Sequence, residues 1–257
     1  MNAVINQILS HRSIRKFKKR DIEEDILMKI LEAATMASSS GNMQTYSIIV
    51  SKDHDVKKLM DEAHFKQPML LESPVFLTFC ADFNRMRRWG ELSDAANNFD
   101  NFMSFMIASI DATLASQNAA LAAESLGIGL CYMGTTLASA SEIGRVLELP
   151  ENVVPIVGFA LGYPDEEVGI RKRLPLKSII HYEKYRVDSD YEVLKTHEDK
   201  NTEGMKRYLD DKKLRKILSE KEITNLAQVY TQLKYTEESH ILYSQNLLSY
   251  LKNQGFL

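Results

Sequence analysis

The sequence predicts a protein of the α+β or α/β class with a helical C-terminal extension. Apolar runs of strand length alternate with segments whose apolar residues recur at helical spacing. Of the 257 residues, 44% are hydrophobic, which is enough to bury a sizeable core. After about Asp188 the composition becomes charged and helical. We therefore expect a single domain over residues 1–257, with a core of about 1–185 and an extension of about 188–257.

The first two predicted helices lie on either side of a basic run. A short apolar face predicts the first helix, and it consists of Val4, Ile5, Ile8 and Leu9. The basic run SHRSIRKFKKR follows from Ser10. Asp21 stands three residues before Glu24, which predicts a capping box at the start of the second helix. That helix ends in the small, polar segment MASSSGNMQ, with Gly41 as the expected stop.

Four apolar runs have the length of strands, and helical segments separate them. The strands are predicted in YSIIVS, PVFLTFCA, GLCYMG and VVPIVGFALGYP, and short helices in DVKKLMDEA and SEIGRVLEL. The polar residues 82–100 predict a loop. The longest helical signal covers residues 101–126 and ends at Gly127; because it is rich in Ala, Ser and Met, we expect burial on most sides. A last long helix is predicted from Glu222 toward Lys252.

Charge and composition narrow the classes of function. The chain has 32 basic and 35 acidic residues and a net charge of −3. Its positive charge is local, and acidic runs such as DIEED offset it, so the balance argues against a nucleic-acid partner. No stretch approaches 18 consecutive apolar residues, and the first residues do not have the pattern of a secretory signal, so we expect a cytoplasmic protein that is not bound to a membrane.

The cysteines and histidines predict neither a disulfide framework nor a metal site. Cys80 and Cys131 each lie inside an apolar run and are typical of small buried side chains in a reducing compartment. The six histidines are scattered, without an i, i+4 pair.

A Rossmann dinucleotide site is the first candidate, and it fails on the order of its elements. GIGLCYMG is rich in glycine, but Gly127 ends a helix and precedes a strand. The Rossmann fingerprint follows a strand and opens a helix.

Two basic segments remain, and the residues alone leave their role open. HRSIR could be a solvated connection between helices, a binding patch for nucleic acid or protein, or a phosphate site. Arginine grips phosphate oxygens with a planar fork, and Ser13 adds a hydroxyl donor. The second segment, RKRLP, could bring Arg171 and Arg173 to the same phosphate from a distant part of the sequence.

Gln67 and a series of motifs extend over about the first 180 residues of the chain: HRSIRKF, ASSSGNMQ, FLTFCADFNR, SQNAALAAESLGIGLCYMG, LELPENVVPIVGFALGYP and RKRLP. In their order and spacing they resemble the FMN-dependent nitroreductases, in particular the larger oxygen-insensitive nitroreductases and NADPH-flavin oxidoreductases. The resemblance implies a three-layer α/β/α sandwich in an interlocked homodimer.

The resemblance also assigns the cofactor site. It implies that non-covalent FMN is bound by His11, Arg12, Ser13, Arg15, Ser39, Gln67, Tyr132, Met133, Gly134, Arg171 and Arg173. Arg15 is expected on the phosphate, with Arg171 and Arg173 completing the clamp. Ser39 would come from the partner subunit, and Gln67 would hydrogen-bond the isoalloxazine ring. The backbone of residues 132–134 would lie over the ring near N5, where the chemistry occurs, so no catalytic side chain is expected.

The implied activity is two-electron, ping-pong transfer of hydride from NAD(P)H through FMN to small acceptors. These would be nitroaromatics, quinones or azo compounds, and the alternative is a flavin reductase whose acceptor is free FMN. Members that prefer NADPH carry an arginine-rich segment where this chain has THEDKNTEGMKR, with only Lys200, Lys206 and Arg207 as replacements. We therefore expect weak discrimination between NADPH and NADH, with a solvated loop as the alternative role of this segment.

Overall fold

The computed structural model describes residues 2–257, which contain one antiparallel sheet and a series of helices. The strands are β1 (Tyr46–Ser51), β2 (Val75–Asp82), β3 (Gly129–Met133) and β4 (Val153–Gly162). The helices up to β4 are α1 (Ala3–Leu9), α2 (Glu24–Thr35), α3 (His54–Leu59), α4 (Met69–Glu72), α5 (Asn84–Leu92), α6 (Phe102–Ser125), α7 (Thr135–Ala138) and α8 (Ala140–Val146). They are followed by α9 (Asp190–Asp210), α10 (Lys212–Glu220), α11 (Leu226–Val229) and α12 (Glu237–Asn253).

The sheet has the order β1-β2-β4-β3, and every neighbouring pair is antiparallel. All residues of β2 are buried, because helices cover both faces of the sheet. Alternate side chains of β2 therefore enter two different clusters: Leu77 and Phe79 pack toward α2 and α6, whereas Phe76 packs on the opposite face. The expected three-layer sandwich is confirmed.

The longest helix, α6, is where the sequence predicts it. Asn101 caps its first turn by accepting a hydrogen bond from the backbone of Ser104. Gly127 follows its end with φ +76°, the left-handed conformation that glycine adopts without strain. Although ten of its residues are buried, one face exposes Met103, Met106, Ile110 and Leu114.

Three predictions of local structure were wrong: the loop over residues 82–100, the unbroken helix from Glu222 toward Lys252, and the capping box at Asp21. Residues 82–100 contain α5, a helix without buried residues in which four of nine residues are charged and Arg87 and Arg88 pair with Glu91, so the segment has the polar composition of a loop. The predicted helix from Glu222 to Lys252 is interrupted at Tyr235, and the hydroxyl of Thr236 accepts from the backbone of Ser239 in the first turn after the break.

The capping box at Asp21 does not form. The N-cap of α2 is Glu23, whose side chain instead binds Arg20 and the hydroxyl of Tyr163.

The chain divides into two compact units. One contains the residues up to Gly169 together with Tyr243–Leu257, and the other is Ile170–Leu242. The last residues complete the core of the first unit: the carbonyl of Gln254 accepts from the backbone and the side chain of Asn152, and Phe256 is buried against Phe105. The second unit has its own small core around Met205, Leu218 and Val229. The single domain over residues 1–257 stays a prediction.

Candidate active site

The basic run lies in an extended conformation across the ends of two strands. The amide of Ile14 donates to the carbonyl of Leu130 in β3 at 2.8 Å, and that of Lys18 donates to Tyr163 just after β4. Ile14 is buried, and its Cβ would lie 2.8 Å from a Cβ placed at Gly129. Because only glycine leaves this room, the run is fixed closely against β3, and its polar side chains are directed away from the core.

Some hydrogen-bond donors of the basic run have partners in the structure, and others have none. His11 Nδ1 lies 2.7 Å from Glu124 Oε1. The backbone amides of Arg15 and Lys16 both donate to Glu166 Oε1, at 2.5 and 3.1 Å. Within residues 2–257, the guanidinium groups of Arg12 and Arg15 have no hydrogen-bond or ion-pair partner. An anion bound here would therefore meet arginine side chains rather than backbone amides.

A cavity of about 680 Å³ lies beside the run, and its lining distinguishes Arg12 from Arg15. Arg12 lines it together with the carboxylates of Glu124, Glu166 and Glu167. Three carboxylates repel an anion, so this cavity does not suit a phosphate. Arg15 is half-buried and does not line the cavity, which makes it the better phosphate ligand of the two.

The second wall of the site is formed by the turn before α4 and the residues after β3. Gln67 Nε2 donates to Thr135 Oγ1 at 3.5 Å. The same hydroxyl lies 2.7 Å from His64 Nδ1. Gly134, which precedes Thr135, is exposed, and a Cβ placed there would have no atom within 4 Å. The backbone at the end of β3 is therefore open to a ligand.

One hydrophobic cluster connects these segments. It contains Ile14 from the basic run, Ala63 and Met69 from either side of Gln67, and Cys131 and Met133 from β3. The segments that carry residues 11–15, Gln67 and residues 132–134 thus each contribute a residue or a chain neighbour to this cluster, and a common site for the predicted residues stays a prediction.

Tyr132 turns its side chain away from this cluster. Its ring packs edge-on against Phe159 in the other cluster, and its hydroxyl bonds to Ser116 at 3.0 Å. Burial raises the pKa of Tyr132 to about 12. Only its backbone is available to the site, and the role that the resemblance implies for the backbone of residues 132–134 stays a prediction.

Ser39 is not brought to the other predicted residues within one chain. Its loop leads into β1, at the edge of the sheet opposite β3, and three strand spacings correspond to roughly 14 Å. Buried Asp111 of α6 holds this loop, because its carboxylate accepts from the backbone of Ser40 at 3.0 Å and from the hydroxyl of Thr45 at 2.8 Å.

Arg171 and Arg173 belong to the second compact unit, where both are exposed. Between them, Lys172 pairs with Asp199 and Glu203 of α9. Their contribution to a phosphate clamp stays a prediction. The segment THEDKNTEGMKR lies within α9, so its interpretation as a solvated loop was wrong.

Sequence reasoning missed His64 and Thr135. His64 is completely buried, and burial lowers the pKa of its imidazole to about 4, so the ring is neutral at pH 7. In the sequence it is an isolated histidine three residues before Gln67, and only the chain fold brings it to Thr135. No signal in the sequence could have found this contact.

Neither a metal centre nor a membrane span is found in the part of the chain that the structure describes. Residues 2–257 contain no group of three or more His, Cys, Asp or Glu placed to hold a metal ion. None of the helices in this range has the length and apolar character that crossing a membrane requires.

The helix-covered antiparallel sheet defines this protein as a member of the α+β class, with unpaired arginines, the Gln67 amide and the open backbone at Gly134 in segments that share one hydrophobic cluster. The family model described as the Nitroreductase family matches residues 8–163. The chain therefore belongs to the nitroreductase family, and the resemblance seen in the motifs is confirmed.

Individual relatives are similar over the whole chain. The FMN reductase, NAD(P)H, of Bacillus subtilis is 33% identical over 258 residues, which cover 100% of this chain and 98% of that protein. A solved structure from Bacteroides fragilis has a TM-score of 0.89 at 36% identity and covers 98% of this chain and 99% of its own. The NADPH:FMN oxidoreductase of Vibrio harveyi, solved in complex with NAD⁺, has a TM-score of 0.80 at 28% identity and covers 99% of both chains.

Proposed function

We propose that this protein is an FMN-dependent NAD(P)H oxidoreductase that reduces small acceptors. The observation that carries the proposal is the half-buried, unpaired guanidinium of Arg15, on a run that shares a hydrophobic cluster with residues on either side of Gln67 and with Met133, next to the open backbone at Gly134. The family membership and the relatives named FMN reductase and NADPH:FMN oxidoreductase support it.

The residues present fit FMN. The phosphate needs a cation and hydroxyl donors, which Arg15 and Ser13 offer. The flavin ring needs an amide and a flat, accessible stretch of backbone, which Gln67 and Gly134 offer. When bound, FMN would accept hydride from NAD(P)H and pass two electrons to the acceptor. The protein has to bind and orient the ring and its two substrates.

The proposed acceptors are nitroaromatics, quinones and azo compounds, with free FMN as a second candidate. Free FMN is favoured by the relatives that are named FMN reductases, one of which is 35% identical over 192 residues. Comparing the turnover of free FMN with that of a nitroaromatic, at equal NADPH, separates the two.

We further propose a cytoplasmic homodimer. Exposed Met103, Met106, Ile110 and Leu114 form one apolar face of α6, which a second copy would cover. Ser39 would reach a flavin only in the partner, because its loop lies at the far edge of the sheet from β3. The buried thiols of Cys80 and Cys131 agree with a reducing compartment.

Titration of the flavin-free protein with FMN and with riboflavin tests the phosphate site. Riboflavin is the matched control because it lacks only the phosphate. We expect FMN to bind at least tenfold more tightly, since charge-assisted contacts to arginine contribute about 1.5–3 kcal/mol. Equal affinity for both ligands would contradict a phosphate site at Arg15.

A further inference from the structure

His64 is a buried polar side chain with one unsatisfied nitrogen, beside the predicted flavin site. Its ring lies edge-on to Phe76 with 5.0 Å between the ring centres, and its Nδ1 is 2.7 Å from Thr135 Oγ1. Its Nε2 has no hydrogen-bond partner within residues 2–257. An unpaired buried polar group costs about 1–3 kcal/mol. A hydrophobic residue in place of His64 would avoid this cost. The presence of a histidine here therefore indicates a role for its hydrogen bond with Thr135.

The turn that carries His64 is strained. Phe65 and Lys66, between His64 and Gln67, have φ values of 55° and 52°. Residues other than glycine adopt this left-handed backbone conformation at a cost of order 1 kcal/mol or more each. Such strain persists only where the surrounding structure fixes the backbone, and it is concentrated at functional sites. Here it places His64 and Gln67 on the same hydroxyl.

The hydrogen-bond donors and acceptors of His64, Thr135 and Gln67 define how these three side chains interact. Thr135 has one hydroxyl proton and two acceptor positions. Its oxygen accepts from Gln67 Nε2 at 3.5 Å. Its other partner, His64, is neutral because burial lowers the pKa of the imidazole to about 4. In either neutral tautomer the ring therefore fixes the hydroxyl of Thr135, and the hydroxyl holds the nitrogen end of the Gln67 amide.

We infer that His64 is a positioning residue that acts through Thr135 to orient the amide of Gln67 toward the ligand. The inference rests on the proposed FMN site and names a residue that acts within it. With Nε2 held by Thr135, Gln67 presents its Oε1, which accepts a hydrogen bond and cannot donate one. A ligand edge that carries an N–H group, as the pyrimidine part of a flavin does, is then selected over one that carries only acceptors.

A double-mutant cycle in FMN affinity tests this coupling. The variants are His64→Phe, Gln67→Leu and the double variant, titrated with FMN by fluorescence. We expect His64→Phe to weaken binding about three- to tenfold, the size of one hydrogen bond. In the Gln67→Leu background the same change should have almost no effect, because the group that it positions is absent. If His64 only packs the core, its full effect persists in that background, and the inference is overturned.

Thr135 gives a second test in case His64→Phe does not fold. Thr135→Ser keeps the hydroxyl, whereas Thr135→Val keeps the shape and removes it. We expect Thr135→Ser to bind FMN like the wild type and Thr135→Val to match His64→Phe, with a shift of the bound flavin's visible absorption. Equal affinity and equal spectra for both variants would overturn the inference. A wild-type protein that binds no FMN would overturn the proposed function, and this inference with it.

Discussion

Arg15 is the residue on which the proposed phosphate site most depends. Its guanidinium has no partner within residues 2–257, whereas the backbone amides of Arg15 and Lys16 are already used by Glu166. Changing Arg15 to Ala should weaken FMN binding by roughly 2–3 kcal/mol, about 30- to 150-fold. Fluorescence titration measures this loss. Lys19→Ala, which removes an exposed charge from the same run, is the control. An equal loss of FMN affinity in both variants would show that Arg15 acts only as a surface charge.

His64 predicts a pH dependence of stability whose sign follows from its burial. The pKa is about 4 in the folded protein and about 6.5 in the unfolded chain. As the pH falls, the unfolded state therefore binds the proton first. Stability from this group is complete above pH 6.5 and decreases toward pH 4.

Comparing wild type with His64→Phe isolates this contribution. Between pH 7 and about pH 5, the free energy of unfolding of the wild type should fall by about 2 kcal/mol more than that of the variant. Denaturant unfolding at each pH, under the same flavin concentration, measures the difference. Parallel pH profiles for the two proteins would show that His64 is not held neutral.

At the scale of elements, the buried carboxylate of Asp111 connects α6 to the loop that carries Ser39. It accepts from Ser40 and from Thr45, one donor at each end of the loop. Thr45→Val removes the hydroxyl and leaves one carboxylate oxygen unpaired, which should cost about 1.5–3 kcal/mol of folding free energy. Thr45→Ser keeps the hydroxyl and should cost about 0.8 kcal/mol for the lost methyl group. Denaturant titration that ranks the two variants equally would contradict the anchoring role.

The sequence predicts elements well where one residue type decides the local structure. Gly127 ends α6 because a left-handed residue must follow the helix, and the four apolar runs become strands because both faces of the sheet are covered. Elements held by charges or by tertiary contacts were missed. Charged residues dominate α5, and the break at Tyr235 follows a helical sequence without glycine or proline.

The same distinction applies to the candidate site. Arg15, Gln67 and Gly134 lie in motifs that are local in the sequence, so motif reasoning could select them. His64 and Thr135 are 71 residues apart and meet only through their hydrogen bond, and the carboxylate of Glu166 reaches the basic run from 151 residues away. Long-range polar contacts of this kind have no periodicity in the sequence.

At the scale of the whole molecule, the exposed apolar face of α6 predicts that the proposed homodimer forms through α6. Ile110 is 54% exposed in the single chain, and a stable dimer of this kind is expected to bury more than about 2,000 Å². Ile110→Glu would bury a charge at that interface, which costs several kcal/mol. Sedimentation should show the variant as a monomer with weakened FMN binding.

Leu59→Glu is the control for this change. Leu59 is also exposed, at 68%, but lies on α3. The variant should remain dimeric and keep its flavin. A wild-type protein that sediments as a flavin-loaded monomer at low micromolar concentration would contradict the interface on α6.

The visible absorption spectrum of the purified protein, recorded without oxygen before and after addition of NADPH, tests the central claim most directly. If the site binds FMN and admits the coenzyme, the protein is yellow, and NADPH bleaches the flavin band as the cofactor takes up hydride. NADH should do the same at a rate within about tenfold, because an exposed lysine contact to the 2′-phosphate contributes only about 1 kcal/mol. A colourless protein that acquires no flavin band when mixed with FMN, or a bound flavin that neither coenzyme bleaches, would contradict the account.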